Sequence, residues 1–393
     1  AVLVSMPQFR KRDLVFPVFV PSMLFSSGEG AIIPILPTAA EHLGANLPTA
    51  GLVAGLTMIG TVAFDIPAAK LVHKLGERRA MMWSSWVAAT ALIGAMLATN
   101  LLLMGIAVFV AGAMISTFAL ARHAFMSEHV PLTHRARSLS LLGGMFRAGA
   151  FIGPIVASAV IYVASYNLVY LAGAVLCVSS GVVLLLTPAD SVPDSASRHH
   201  GSTLAIARRE WRKLATVGMS ATIVGMLRTV RQLGLPLWAL YIGLHPGTTA
   251  FIIGVAGFLD FVLFYASGQI MDRWGRRAAL VPTAIGMSLA HFALVFAHDE
   301  TGFLLVALLM SLANALGSGI VLTLGADLAP HDARHEFLAA YRLLIDSGVA
   351  VTPVLLSALT VGITLPGAVL CFAGVSVVGA WLGWKYPPRF GIR

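Results

Sequence analysis

The sequence is short of charge. Only 11% of its 393 residues are Asp, Glu, Lys or Arg, while 58% are hydrophobic. A soluble chain keeps about a quarter of its residues charged, so a water-bathed globule is excluded. Cysteine is scarce too: Cys177 and Cys371 each stand alone in an apolar run, so no disulfide framework is available and both are expected to be free, buried thiols. Nothing in the chain has the pattern of a nucleophile with its base or of a nucleotide-binding loop, which argues against an enzyme and against direct use of ATP. The 12 histidines show no zinc-like spacing, so neither a metal nor any other cofactor is expected.

What the chain does contain is apolar runs of spanning length, about 20 residues each. Read between Pro, Gly and charge, they fall near 14–40, 48–72, 79–98, 101–126, 137–163, 167–187, 214–242, 248–272, 278–298, 302–327, 337–360 and 364–386. The first already has the length of a span and is read as one, not as a cleavable leader. With twelve spans both ends of the chain share a side. Of the 26 Lys and Arg, 23 fall on that side, and the other three, Arg147, Arg228 and Arg231, lie inside spans. Short cytoplasmic loops carry the positive charge, so both termini are expected in the cytoplasm of a multi-pass inner-membrane protein. The net charge of +9 then reflects topology and anionic headgroups, not nucleic acid.

The charged stretch Gly268-Gln269-Ile270-Met271-Asp272-Arg273-Trp274-Gly275-Arg276-Arg277 has a weaker copy 199 residues earlier, where Gly76 stands at the place of Gly275. The same offset pairs Pro37 with Pro236, Gly44 with Gly243, Gly149 with Gly348 and Pro154 with Pro353. The predicted fold is an all-α membrane protein with twelve transmembrane helices in two parallel six-helix repeats, residues 1–187 and 214–393. The linker, 188–213, combines Leu204, Trp211 and Leu214 with basic residues. It reads as a helix on the membrane surface or as a solvated connector.

Gly268 to Arg277 resembles the loop motif of the major facilitator superfamily at each of its charged and glycine positions, and with twelve spans and a central linker the resemblance covers nearly the whole chain. It implies loops that latch the two halves on the cytoplasmic side. Gating positions are then His73, Gly76, Arg78, Arg79 and Glu128 in the first half and Gly268, Asp272, Arg273, Gly275, Arg276, Arg277 and Asp327 in the second, with Asp327 as partner for Arg276. The first copy departs from the motif: His73 replaces its acid and Glu77 an arginine. An imidazole gives a latch that pH can withdraw. Gly149, Gly153 and Pro154 resemble the family's antiporter motif in part, while close helix packing explains the same residues.

Ionisable residues in mid-span face a water-filled pathway or one another. Glu29 and Arg228 are 199 residues apart, as are Arg147 and Asp346, and both pairs are of opposite charge. Glu29 is the leading proton-coupling carboxylate, followed by Asp346, Asp260 and Asp65. Arg228 is expected as its counter-ion or as a substrate contact, with Arg231, Gln232, Arg147, Trp238, Tyr241 and Asn314 as further substrate contacts. Arg147 and Asp346 can also be read as a structural ion pair, and Asp65 as an interfacial residue without a part in transport. Four carboxylates against three guanidiniums point to internal pairing more than to a strongly charged solute. The function expected is alternating access by a monomer in the lipid bilayer that exports an amphipathic small molecule against protons. Uptake or facilitated passage of a small polar metabolite and lipid flipping are the alternatives.

Overall fold

The computed structural model describes residues 14–130, 132–187 and 203–391. Prolines and short polar caps decide where its helices begin. Helix α1 is Val15–His42, followed by α2 (Leu47–Leu75), α3 (Glu77–Met96), α4 (Leu101–His129), α5 (Leu132–Val163) and α6 (Asn167–Leu186). The short α7 (Thr203–Arg209) precedes α8 (Met219–Tyr241), α9 (Pro246–Trp274) and α10 (Arg277–Leu294). Helix α11 covers Glu300–Leu328, and α12 (Arg334–Gly362) and α13 (Leu365–Lys385) complete the set. Asn46, Asn100 and Asp299 cap α2, α4 and α11 by accepting from the backbone N–H three residues on, at 3.0, 2.9 and 2.8 Å.

Ten of these helices are long and apolar enough to cross a membrane. Helices α3 and α8, of 20 and 23 residues, are long enough but less apolar. The reason is visible in their residues: α3 opens with Glu77, Arg78 and Arg79, and α8 carries Arg228, Arg231 and Gln232. Outward faces elsewhere expose Leu102, Leu186, Phe251 and Leu289, as a lipid-facing surface requires.

Positions 199 residues apart share backbone detail. Gly76 and Gly275 end α2 and α9 with φ of 79° and 87°, a region open to glycine. Each of these glycines donates its N–H to the fourth residue before it, Val72 and Met271. The chain enters α1 through a wide five-residue turn at Val15–Phe19 and approaches α8 through another at Leu214–Gly218. Ser180 Oγ donates to Pro21 O at 2.9 Å, and Ser220 Oγ donates to Gly379 O at 2.7 Å, which joins the same two positions with the donor reversed.

Packing follows the same scheme. Helix α1 lies on α5 and α6, α2 on α4, and α3 on α4 and α6; α8 lies on α12 and α13, α9 on α11, and α10 on α11 and α13. Two seams join the groups, α5 with α9 and α2 with α12. Since lipid gives no hydrophobic drive between helices, close approach must supply the attraction. Gly149 serves it: an added Cβ would come within 2.6 Å of Met23 O and 2.9 Å of Ser27 N on α1.

In the linker, residues 188–202 lie outside the described residues. Helix α7 packs on α12, and Arg209 grips Asp332 through two hydrogen bonds of 2.7 and 3.1 Å. Leu204 and Trp211 are exposed beside the basic residues. Of the two thiols expected to be buried, Cys177 is and Cys371 is exposed, because α13 turns one face away from its neighbours.

Candidate functional site

A cavity of about 750 Å³ lies between the two groups of helices. Its walls are mostly apolar, with Ile32, Ile33, Met58, Leu92, Ile115, Leu142, Phe146, Leu235 and Ile253 among them. One end is closed where the groups touch: Tyr162 Oη meets Thr248 Oγ1 at 2.8 Å, Ser357 Oγ donates to Pro48 O at 3.0 Å, and Gly55 abuts Pro353. Toward the other end, that of the charged loops, the lining continues to His123, Leu139 and Leu322.

Charge in the cavity is gathered on two walls. On one, Asp260 of α9 is shared by Arg147 of α5 and Arg231 of α8, each at 3.4 Å. Asn314 Nδ2 donates to Asp260 at 2.7 Å, and Asn314 Oδ1 accepts from Arg228 Nε at 3.0 Å. Helix α11 is interrupted at 317–319, beside the site. Arg228 Nη2 donates to Gly317 O at 2.6 Å and Arg147 to Ser318 Oγ, while Arg231 Nη2 donates to Ser311 Oγ at 2.9 Å. Irregular backbone at membrane depth is tolerated where it is buried in protein, and here the arginines bond it.

On the other wall stands Glu29. Its expected counter-ion is Arg228, but the charge that acts on it is Arg122, and Arg228 is held by Asn314 and Gly317 instead. Residues related by the repeat face each other across the axis, and here the cavity lies between them. Glu29 Oε1 and Arg122 Nε are buried with no hydrogen-bond partner among the described residues. Arg122 was expected among the cytoplasmic charges, yet α4 continues to His129, which places Arg122 two turns inside the helix with 8% of its surface exposed.

The second opposite-charge pair also divides. Arg147 binds Asp260, whereas Asp346 binds Arg342 at 3.2 Å and Arg342 reaches across to Asp65 at 3.6 Å. Asp65 accepts from Ser116 Oγ as well. Neither Asp65 nor Asp346 lines the cavity. Gln232 does; Trp238 and Tyr241 do not. Trp238 is fully buried and donates to Ala297 O at 2.8 Å, and Tyr241 lies tilted against it while remaining exposed.

In the second charged loop Arg276 Nε donates to Asp327 Oδ2 at 2.7 Å, and Asp272 lies 3.7 Å from Arg276. Both contacts stay within one group of helices, so here they brace that group rather than join the two. Arg273 lies over Trp274 and Arg277 over Trp384, at 5.3 and 5.8 Å, and Gly268 is unobstructed. In the first loop Arg78 donates to Leu184 O and Leu185 O at 2.7 and 2.8 Å, closing the end of α6. His73 and Arg79 are exposed with no ion pair among the described residues. Glu77 stands at the place of Arg276 and Glu128 at that of Asp327, so the first loop cannot repeat the second loop's pair. The side chain of Glu128 lies outside the described residues.

The family model for the Major Facilitator Superfamily matches residues 18–353. This chain belongs to the major facilitator superfamily. It is an integral membrane protein of a family of transporters, not of enzymes. A superfamily relative, the uncharacterized MFS-type transporter MT1926 of Mycobacterium tuberculosis (strain CDC 1551 / Oshkosh), is 26% identical over 146 residues, 37% of this chain. That match spans only 21% of the relative's own length. Among solved structures, a POT family transporter in complex with a thioalcohol-conjugated peptide superposes with a TM-score of 0.80 at 12% identity over 96% of both chains. The nucleoside transporter NupG gives 0.77 at 15% identity, covering 95% of this chain and 98% of its own. A bacterial homolog of the human lysosomal transporter Spinster, inward-facing and unoccupied, gives 0.76 at 13% identity over 98% of both. At these identities the likeness is one of fold.

Proposed function

We propose that this superfamily member carries an amphipathic small molecule across the cell membrane by alternating access, coupled to protons, with export as its direction. The observation that carries the proposal is the central cavity, apolar over most of its wall, charged at mid-depth and sealed at one end by contacts between two helix groups. Parting those contacts and closing the other end would move the opening across the membrane. The paired turns and hydrogen bonds 199 residues apart support twelve spans in two parallel repeats, residues 1–187 and 214–393, joined by 188–213. The basic loops support a cytoplasmic position for both termini in the inner membrane. One chain supplies both walls of the cavity, which supports a monomer.

Glu29 is proposed as the proton carrier: a carboxylate oxygen without a hydrogen-bond partner, facing the cavity, gains or loses a proton with little else to rearrange. Support for export is the resemblance of Gly149 to Pro154 to the antiporter motif. Uptake of a small polar metabolite is the second reading, favoured by the fold-level likeness to peptide and nucleoside transporters and by the arginine-rich wall. In proteoliposomes under an imposed pH gradient, screened against pooled solutes, flux should follow the gradient, and Glu29→Gln should lose that dependence while solute binding stays detectable. Gradient-driven flux that persists in Glu29→Gln would remove the assignment of Glu29, and absence of flux for every solute would overturn the proposal.

A further inference from the structure

The two walls of the cavity differ in charge, and the difference names a class of cargo; the inference rests on the cavity being the transport site. Glu29 and Arg122 balance each other. Opposite them, Arg147 and Arg231 share one carboxylate, Asp260, and Arg228 stands beside them on Asn314, which leaves two positive charges in excess. The near balance of charge over all the spans includes Asp65 and Asp346, and both are occupied by Arg342 outside the cavity.

An unbalanced cluster of guanidiniums at membrane depth is expensive unless something offsets it. The protein offsets it only in part. Asp260 is divided between two arginines at 3.4 Å, and Arg228 touches no carboxylate, resting on the neutral acceptors of Asn314 and Gly317. A guanidinium has five N–H donors in a fork that fits a carboxylate or phosphate. Arg228 commits Nε and Nη2 to protein acceptors, while Arg231 commits one N–H from each terminal nitrogen. Donors are left over on both, at the cavity wall. The surrounding walls are apolar, so an ion docked here needs an apolar body to fill the remaining volume.

We propose that the cargo is a small organic anion, an acid group on an apolar body, whose acid docks between Arg228, Arg231 and Arg147. Three naphthalene probes of similar shape separate the possibilities: 1-naphthoate as the anion, 1-naphthylmethylammonium as the cation and 1-naphthylmethanol as the neutral control. Binding is measured by probe fluorescence on the full chain in nanodiscs of zwitterionic lipid, against empty nanodiscs. Naphthoate should bind tightest, more weakly as salt rises, and about tenfold or more weakly in Arg228→Gln and in Arg231→Gln, the usual effect of losing a charge-assisted hydrogen bond. Asp260→Asn, which frees the arginines, should hold naphthoate at least as tightly as wild type. Arg209→Gln, outside the cavity, should leave binding unchanged.

Wild type alone decides the sign, so a variant that fails to fold does not rescue the inference. Equal binding of all three probes, preference for the cation, or no binding of any would overturn it. Flux is read separately in proteoliposomes. Binding of naphthoate with no solute flux would sink the transport reading and leave the anion site standing, while cation flux without naphthoate binding would do the reverse.

Discussion

The closed end of the cavity can be forced open with one methyl group. Gly55 on α2 lies against Pro353 on α12, in one of the two seams between the helix groups. A Cβ at Gly55 would stand 2.8 Å from Pro353 Cγ and closer still to Pro353 Cβ, whereas carbon atoms meet without strain at about 3.5–4.0 Å. A proline ring within a helix cannot swing aside, so α2 and α12 must part by about 1 Å or more. Overpacking of this kind costs about 1–3 kcal/mol, and here the cost falls only on the state in which the two helices touch. A penalty of about 2 kcal/mol moves the ratio of closed to parted molecules about thirtyfold. The assay places a cysteine at Leu237, which packs against Gly51 near the same end, in a Cys371→Ser background. Labelling by a membrane-impermeant maleimide in proteoliposomes should accelerate by about tenfold or more in Gly55→Ala. Gly254→Ala, at the equivalent position, meets the flexible end of Ile155 at 2.5 Å and should give a smaller effect. An unchanged labelling rate in a Gly55→Ala protein that is folded and monodisperse would refute the reasoning.

Gly275→Ala forces a side chain into φ of 87° and should cost about 1–2 kcal/mol, seen as a lower melting temperature, whereas Gly268→Ala, with nothing near it, should be neutral. The hydrogen bonds from Arg209 hold the carboxyl of Asp332 below the usual carboxylate range. Since the folded value is the depressed one, the tie is present above the unfolded carboxylate's range, near 3.9, and is lost only as pH falls through the lower folded value. Protection of α7 amides against hydrogen exchange, corrected for intrinsic rates, should therefore be equal at about pH 7 and pH 5, and should drop in Asp332→Asn at both. If His73 works as a switchable latch, His73→Asp and His73→Ala should each lose part of the pH dependence of transport seen in wild type between about pH 5 and 8; superimposable profiles for all three would remove that role.

Chain order carried much of this. Apolar runs and their punctuation located the helices, because length and hydrophobicity are one-dimensional properties, and the offset of 199 residues anticipated the twin turns at Gly76 and Gly275. Arg276 and Asp327 could be paired on paper, since each sits near the end of an element where depth is fixed. Mid-span partners could not. Whether Arg147 meets Asp346 or Asp260 depends on rotation about the helix axis and on reach across a cavity, and apolar helices that are wet on one face and lipid-bound on the other show little periodicity. Arg122 is hard to read for another reason: a shift of a few residues in the helix end turns a buried charge into a loop charge. Its setting, Ala-Leu-Ala before it and His-Ala-Phe after it, was the available signal.

Arg147 belongs to the first group of helices and Asp260 to the second, so the seam of α5 with α9 contains an ion pair as well as packed surfaces. An anion that competes with Asp260 for Arg147 would weaken that joint while it binds. By thermodynamic reciprocity, whatever loosens the joint must tighten the hold on the anion by the same factor. An empty carrier would then be the stiffer one, and cargo would lower the barrier to its own passage, which is the behaviour of an obligatory exchanger more than of a leak.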